Sequence, residues 1–325
     1  MIIIQLIMKI FNPQVFQGSL KKKKYFEGWY FKHVSESLDY VISIIPGISL
    51  SKDDAHSFIQ VIDGITGKTY YITYPIEKFH ASKNTFDVTI GESHFSESSM
   101  DLNISEDDLT LNGQFFYDKR SPYPFSLLSP GIMGWYSYVP FMECYHGVVS
   151  VNHEIRGSIN YNNKEISFNN GRGYIEKDWG KSFPESWIWL QCNSFKEDHS
   201  SLMVSVAKIP WLGKFFIGFL CFVYLNNEYY MFSTYNNSTI ENLQLTESGI
   251  SLIMKNKDFS LEVQSKGNKS GILAAPQEGS MSRRIKESVD ADVDYILRNT
   301  QGIVIHEDHG QRAGLEIIES LMSYF

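Results

Sequence analysis

The sequence has no glycine-rich phosphate loop of the Rossmann or P-loop type and no Gly-x-Ser-x-Gly elbow. Nucleotide-dependent and α/β-hydrolase chemistry therefore lack their usual scaffolds. Cysteine is scarce: Cys144, Cys192 and Cys221 are odd in number, far apart and set in apolar sequence. That excludes a disulfide framework and a Cys-x-x-Cys metal site, and the three thiols are expected to be reduced and buried. The nine histidines show no zinc-type pairing. His306 and His309, with Glu307 and Asp308, form a single cluster that reads as an exposed turn, so no metal is expected.

Positive charge is also in short supply, with 29 Lys and Arg against 37 Asp and Glu and a net charge of -8. Nucleic acid is excluded as a partner, because its binding rests on clustered cations that neutralise phosphates. The one basic run, Lys21 to Lys24, reads as a solvated leader before a strand, with an anionic lipid surface as the alternative. Long apolar runs are missing. MIIIQLIMKIF is too short to cross a bilayer and has no basic region before it, and Met8 is an alternative start. FFIGFLCFVYL falls well short of the roughly 20 residues a spanning helix needs, so it reads as a core strand, with a membrane-touching hairpin as the alternative. No transit peptide precedes the first motif, and the richness in Asn, Lys and Ile suggests a bacterial source. The expected location is cytoplasmic, either free or in peripheral membrane contact.

No stretch of ten or more residues has clear 3.6-residue periodicity. Aromatic residues, by contrast, make up 14%, a composition that favours pleated strands and apolar pockets. FEGWYFKHV and YVISIIPGISL read as the first two strands, joined by the turn SESLD. SLMVSVAKIPWL and FFIGFLCFVYL read as a hairpin turning at Gly213 and Lys214. Short alternating runs continue almost throughout. At this length they predict an all-β chain with little helix, built of two antiparallel β-barrel or sandwich domains in tandem. The boundary is placed between Ile155 and Gly171, giving domains 11–165 and 166–325. No residue repeat is visible, so any duplication is one of architecture. The tail GLEIIESLMSYF is ambiguous: Leu315, Ile318, Met322 and Phe325 have helical spacing, yet its Ile-rich start could equally close a sheet.

Charge and large aromatics coincide in GRGYIEKDWGKSFPESWIWLQCNSF, read as the first strand of the second domain and the turn that follows it. On an extended backbone Tyr174, Glu176 and Asp178 share one face while Ile175, Lys177 and Trp179 share the other. A carboxylate pair in apolar surroundings splits its pKa values and leaves one group able to donate a proton. The bland alternative pairs one carboxylate with Lys177 or Lys181 and leaves the other in solvent. Glu27 in FEGWYFK orients a ligand or a base, or else makes a structural bond. GWYSYVPFMECYHG supplies Trp135, Tyr136 and His146, the last either a proton carrier or structural. Arg283 and Lys286 in MSRRIKES could anchor a polar head group.

NPQVFQG, YFEGWYFK, GWYSYVPFMECYHG, the Gly171–Phe195 stretch and MSRRIKES, in that order, resemble the tocopherol cyclase family from about Asn12 to Ile318. The resemblance implies a lipocalin-like pair of β-barrels, related to carotenoid hydratases. It also implies an enzyme that protonates a prenyl double bond so that a phenol oxygen attacks the cation, without redox cofactor or metal. Asp178 would then be the acid, and Glu176 would raise its pKa or take the phenol proton, with His146 and Glu27 as further catalytic candidates. Trp29, Trp135, Tyr136, Trp179, Lys181, Trp187 and Trp189 would face the cation, the tail or the head group, which Arg283 or Lys286 would anchor. The expected partner is a hydrophobic small molecule. The alternatives are a non-catalytic lipocalin-like carrier of a lipid or terpenoid, and a hydratase of the same superfamily.

Overall fold

The computed structural model describes residues 9–246 and 248–318. Met8, Met322 and Phe325 lie outside them. The chain is nearly all β, in two large antiparallel sheets.

The first sheet holds β1 (Tyr25–Val34), β2 (Val41–Leu50), β3 (Ala55–Asp63), β4 (Thr69–Pro75), β5 (Phe79–Ala81), β6 (Asp87–Ile90), β7 (Ser93–Ser96), β8 (Ser99–Glu106), β9 (Leu109–Ser121), β10 (Cys144–Tyr161), β11 (Lys164–Ser167) and β12 (Gly171–Gly180). The second holds β13 (Trp187–Cys192), β14 (Ser200–Trp211), β15 (Lys214–Leu225), β16 (Glu228–Ser233), β17 (Thr239–Leu245), β18 (Ile250–Lys255), β19 (Phe259–Lys266), β20 (Gly271–Gln277), β21 (Ser280–Asn299) and β22 (Val304–Ile317). Two 3-10 turns, Ile76–Lys78 and Gly134–Tyr138, interrupt the strands.

Both sheets follow one plan. In the first, the meander β1–β4 and the meander running from β5 to β10 are joined edge to edge by β12. In the second, β13–β16 and the strands from β17 to β21 are joined by β22. The duplication of architecture anticipated above is present, and two such sheets agree with a two-barrel lipocalin-like fold. The tail ambiguity resolves to strand through Ile317.

The boundary falls later than expected. The strand taken to open the second domain, β12, pairs with β1 on one side and β10 on the other, at the centre of the first sheet. One compact unit comprises residues up to Ile62, Lys68–Phe183 and Leu273–Arg284. The other comprises Asp63–Gly67, Pro184–Ile272 and the chain from Ile285. Consecutive strands suggest consecutive domains, but pairing here is set by a partner far upstream.

The first unit is filled by side chains. Trp29 and Phe31 of β1, Ile44 and Ile48 of β2, Ile59 and Val61 of β3, Phe95, Phe115 and Ile175 form one buried apolar cluster. His33 of β1 and His153 of β10 are buried against the ring of Tyr117. A Cβ at Gly173 would lie 2.0 Å from the His153 Nε2, so glycine there is what lets the imidazole in. In the second unit Leu202, Val204, Phe222, Phe232, Leu252, Leu261 and Leu297 are fully buried. Cys192 and Cys221 are buried as expected, whereas Cys144 is half-exposed, because it opens β10 at the edge of the candidate site.

Candidate functional site

Register decides which face of β12 looks where. Phe31 of β1 pairs with Ile175, Glu27 with Trp179, and Gly28 with Asp178. Ile175 belongs to the buried cluster and Trp179 packs against it, so the face carrying Lys177 is the inward one. Tyr174, Glu176 and Asp178 lie on the opposite face, with Gly28, Tyr30 and Lys32 of β1 and His146 of β10.

On that outer face a histidine separates the two carboxylates. His146 Nδ1 is 3.0 Å from Asp178 Oδ1, and its Nε2 is 3.6 Å from Glu176 Oε2. Tyr174 donates a 2.6 Å hydrogen bond to Glu176 Oε2, and the Cys144 thiol lies 3.8 Å from Asp178 Oδ1. The side chains of Glu176, His146 and Asp178 are 5%, 14% and 24% exposed, so Asp178 is the member nearest to solvent. Burial alone would lower the imidazole pKa. The Asp178 and Glu176 carboxylates together outweigh it and hold His146 up at about 9, which keeps it protonated at neutral pH.

The expected carboxylate pair is therefore a triad holding a proton. The lysines that could have neutralised it are engaged elsewhere, Lys177 with Glu27 and Lys181 with Glu278. Gly28 leaves room beside Asp178, since a Cβ there would meet only ordinary contacts, the nearest at 3.7 Å. The ligating atoms of His146, Glu176 and Asp178 lie within 4.8 Å of one another and so could hold one metal ion. The carboxylates approach different ring nitrogens, however, whereas an ion binds only one of them. The hydrogen bond between Nδ1 and Asp178 suits proton sharing, whereas Nε2 makes no hydrogen bond among the described residues and feels Glu176 through charge.

Glu27 is not brought to this site. It is fully buried on the inward face, paired with Lys177 at 2.5 Å. It also accepts from the Tyr25 hydroxyl at 2.5 Å and from the backbone amides of Gln17 and Gly18 at 2.8 and 3.0 Å. Lys177 in turn donates to the carbonyls of Pro13 and Val15 and sits over the rings of Trp29 and Trp179. Burial pulls the Lys177 pKa down to about 8 against the pull of Glu27, so the lysine keeps its charge at neutral pH. The EGW and EKDW motifs thus serve largely as a latch that binds residues 13–18 to the sheet.

The other candidates disperse. Trp29 is buried, stacks on Phe86 and donates to the Gln14 carbonyl. Trp179 stacks on Tyr145 on the inward face, and Trp135 stacks on Tyr136 in the segment between β9 and β10. Trp187 and Trp189 are buried in β13 of the second unit, where Trp187 donates to Glu316. Arg283 is half-buried in the first unit, and Lys286 is exposed in the second. Sequence reasoning missed Tyr30, which accepts from Ser43, and Lys32, which is fully buried. Alternation along FEGWYFK could have placed both on the face opposite Glu27.

Known proteins resemble this chain in sequence and in fold. A maize (Zea mays) tocopherol cyclase, chloroplastic, is 36% identical over 74 residues, and a rice (Oryza sativa subsp. japonica) probable tocopherol cyclase is 31% identical over the same length. The match covers 23% of this chain and only 16% of each relative. Kievitone hydratase from Nectria haematococca has the same fold, with a TM-score of 0.51 at 8% identity over 93% of both chains. The tocopherol cyclase-like family pattern matches residues 126–318, which take in β10, the whole of β12 and all three members of the triad, and the chain belongs to that family.

Proposed function

We propose that the protein is an enzyme of the tocopherol cyclase type, isomerising a hydrophobic prenylated phenol or related terpenoid by closing an oxygen ring. The observation that carries this reading is the protonated His146 held between Asp178 and Glu176 in a mostly buried setting.

The reaction adds one proton to a prenyl alkene carbon, forms a carbon–oxygen bond at the tertiary carbon, and removes the phenol proton. Nothing is oxidised and the formula does not change. Its catalyst needs one group that gives a proton and another that takes one back, and the hydrogen-bonded pair of His146 and Asp178 supplies both. Asp178, the most accessible member, meets the substrate. His146 stores the proton, and Glu176, oriented by Tyr174, balances the imidazolium charge. Burial by itself favours release of the imidazole proton, and the two carboxylates oppose it, so the proton is held until a substrate meets Asp178.

The test is incubation with a prenylated hydroquinone, followed chromatographically for a product of unchanged mass. Asp178→Asn and His146→Gln should each lower turnover by about 10²- to 10⁴-fold. Equal turnover in Asp178→Asn removes that residue from the chemistry. A wild-type protein with no turnover that retains a lipid in native mass spectrometry is a carrier.

A further inference from the structure

The segment joining β9 to β10 has a feature that catalysis at the triad does not use. Residues 121–142 contain no Asp, Glu, Lys or Arg. Leu127 and Leu128 occupy the tip of a turn closed by reciprocal backbone hydrogen bonds between Ser126 and Ser129, at 2.8 and 3.1 Å. They are 80% and 86% exposed, and Phe125 is 70% exposed. Trp135, Tyr138 and Phe141 of the same segment are also exposed.

The tip is braced. The Tyr138 hydroxyl donates to the Leu127 carbonyl at 2.6 Å, the Ser126 hydroxyl accepts from the Ser129 amide at 3.1 Å, and the rings of Phe125 and Tyr138 both pack against Phe11. The two cations that precede it are engaged, Lys119 with Glu154 and Arg120 with Glu97. Exposed apolar residues are ordinary where charge lies among them, and at the β14–β15 turn Lys214 stands between the exposed Leu212 and Phe215. Two adjacent leucines held at a rigid tip, with aromatic rings around them and no charge over the whole segment, are of another kind.

We propose that this segment is a finger that inserts into a lipid surface. A two-residue convex tip cannot bury the roughly 1,200 Å² of a stable protein–protein interface. Fluid acyl chains, however, close round a convex tip, and an uncharged segment enters them without stripping a charge of water. Trp135 and Tyr138, each with an apolar body and a polar edge, suit the headgroup level behind the tip. This inference stands apart from the catalytic reading, because vesicle binding needs neither substrate nor turnover.

The experiment is flotation of the full chain with vesicles of phosphatidylcholine alone, and of phosphatidylcholine with phosphatidylglycerol, at low and high salt. The protein should float with both, with little salt dependence. Leu127→Ser/Leu128→Ser should lower partitioning by about tenfold or more, while Leu212→Ser leaves it unchanged. Leu128→Asp is a second variant that puts charge at the tip without touching the core, and it should abolish flotation. Failure of the wild type to float, or equal flotation of Leu127→Ser/Leu128→Ser, overturns the proposal. So does a lipid-free dimer that the double substitution converts to monomer, since the tip would then serve a second copy of the chain.

Discussion

Glu27 and Lys177 meet at 2.5 Å across β1 and β12 with no part of either side chain exposed. Removing one partner strands the other charge in an apolar interior, at a cost of about 3–5 kcal/mol, whereas removing both restores neutrality. Urea denaturation should therefore show Glu27→Gln and Lys177→Met each strongly destabilised and the double substitution less so than their sum. Additive losses would mean that the two side chains act independently.

His33 and His153 predict how stability responds to acid. Burial lowers both, His33 to about 3, so the folded protein keeps them neutral while the unfolded chain protonates them near 6.5. The stability they contribute is complete above 6.5 and drains away as pH falls towards 3, by up to about 1.4 kcal/mol per pH unit for each histidine. The melting temperature should drop through this window, and His33→Gln should flatten the drop. A melting temperature constant from pH 7 to 4 contradicts the assignment.

At His146 the sign reverses. Its pKa is raised to about 9, so its contribution to stability is complete below 6.5 and is lost as pH rises through 9. Proton storage is lost over the same range. The rate of cyclisation should therefore fall above about pH 9, and a profile still rising at pH 10 points to a different acid.

Gly28 should be separable from folding. A Cβ there meets nothing closer than 3.7 Å, and Gly28 pairs directly with Asp178. Gly28→Val is expected to keep the melting temperature and lose turnover, mainly through KM. An unfolded Gly28→Val shows that the space is needed by the protein and not by a substrate.

Proton sharing between His146 and Asp178 requires no ion. Dialysis against EDTA should leave turnover unchanged, and activity lost to EDTA and restored by a divalent cation assigns the three side chains to a metal.

Local pattern made much of this legible. β1 with β2, and β14 with β15, are hairpins whose partners sit next to each other in sequence. Alternation also put Glu176 and Asp178 on one face. What it could not supply was partnership at a distance. His146 looks solitary because Asp178 lies 32 residues further on. Lys177 looks like a surface lysine, and nothing near it in sequence announces that Glu27 will neutralise it. The place of β12 was hidden for the same reason, since a strand's neighbours depend on register with segments formed long before.

That placement governs the order in which the first sheet can be assembled. Its two meanders can form as their residues leave the ribosome, but they share no border until β12 slides between β1 and β10. The nitrogen that holds the Pro13 carbonyl belongs to a lysine 164 positions later. The segment ahead of β1 therefore waits, with the Glu27 carboxylate uncompensated, through most of the synthesis of the first unit. Long-range closure of this sort is slow, and the motif richest in charge and tryptophan is also the one that ends the wait.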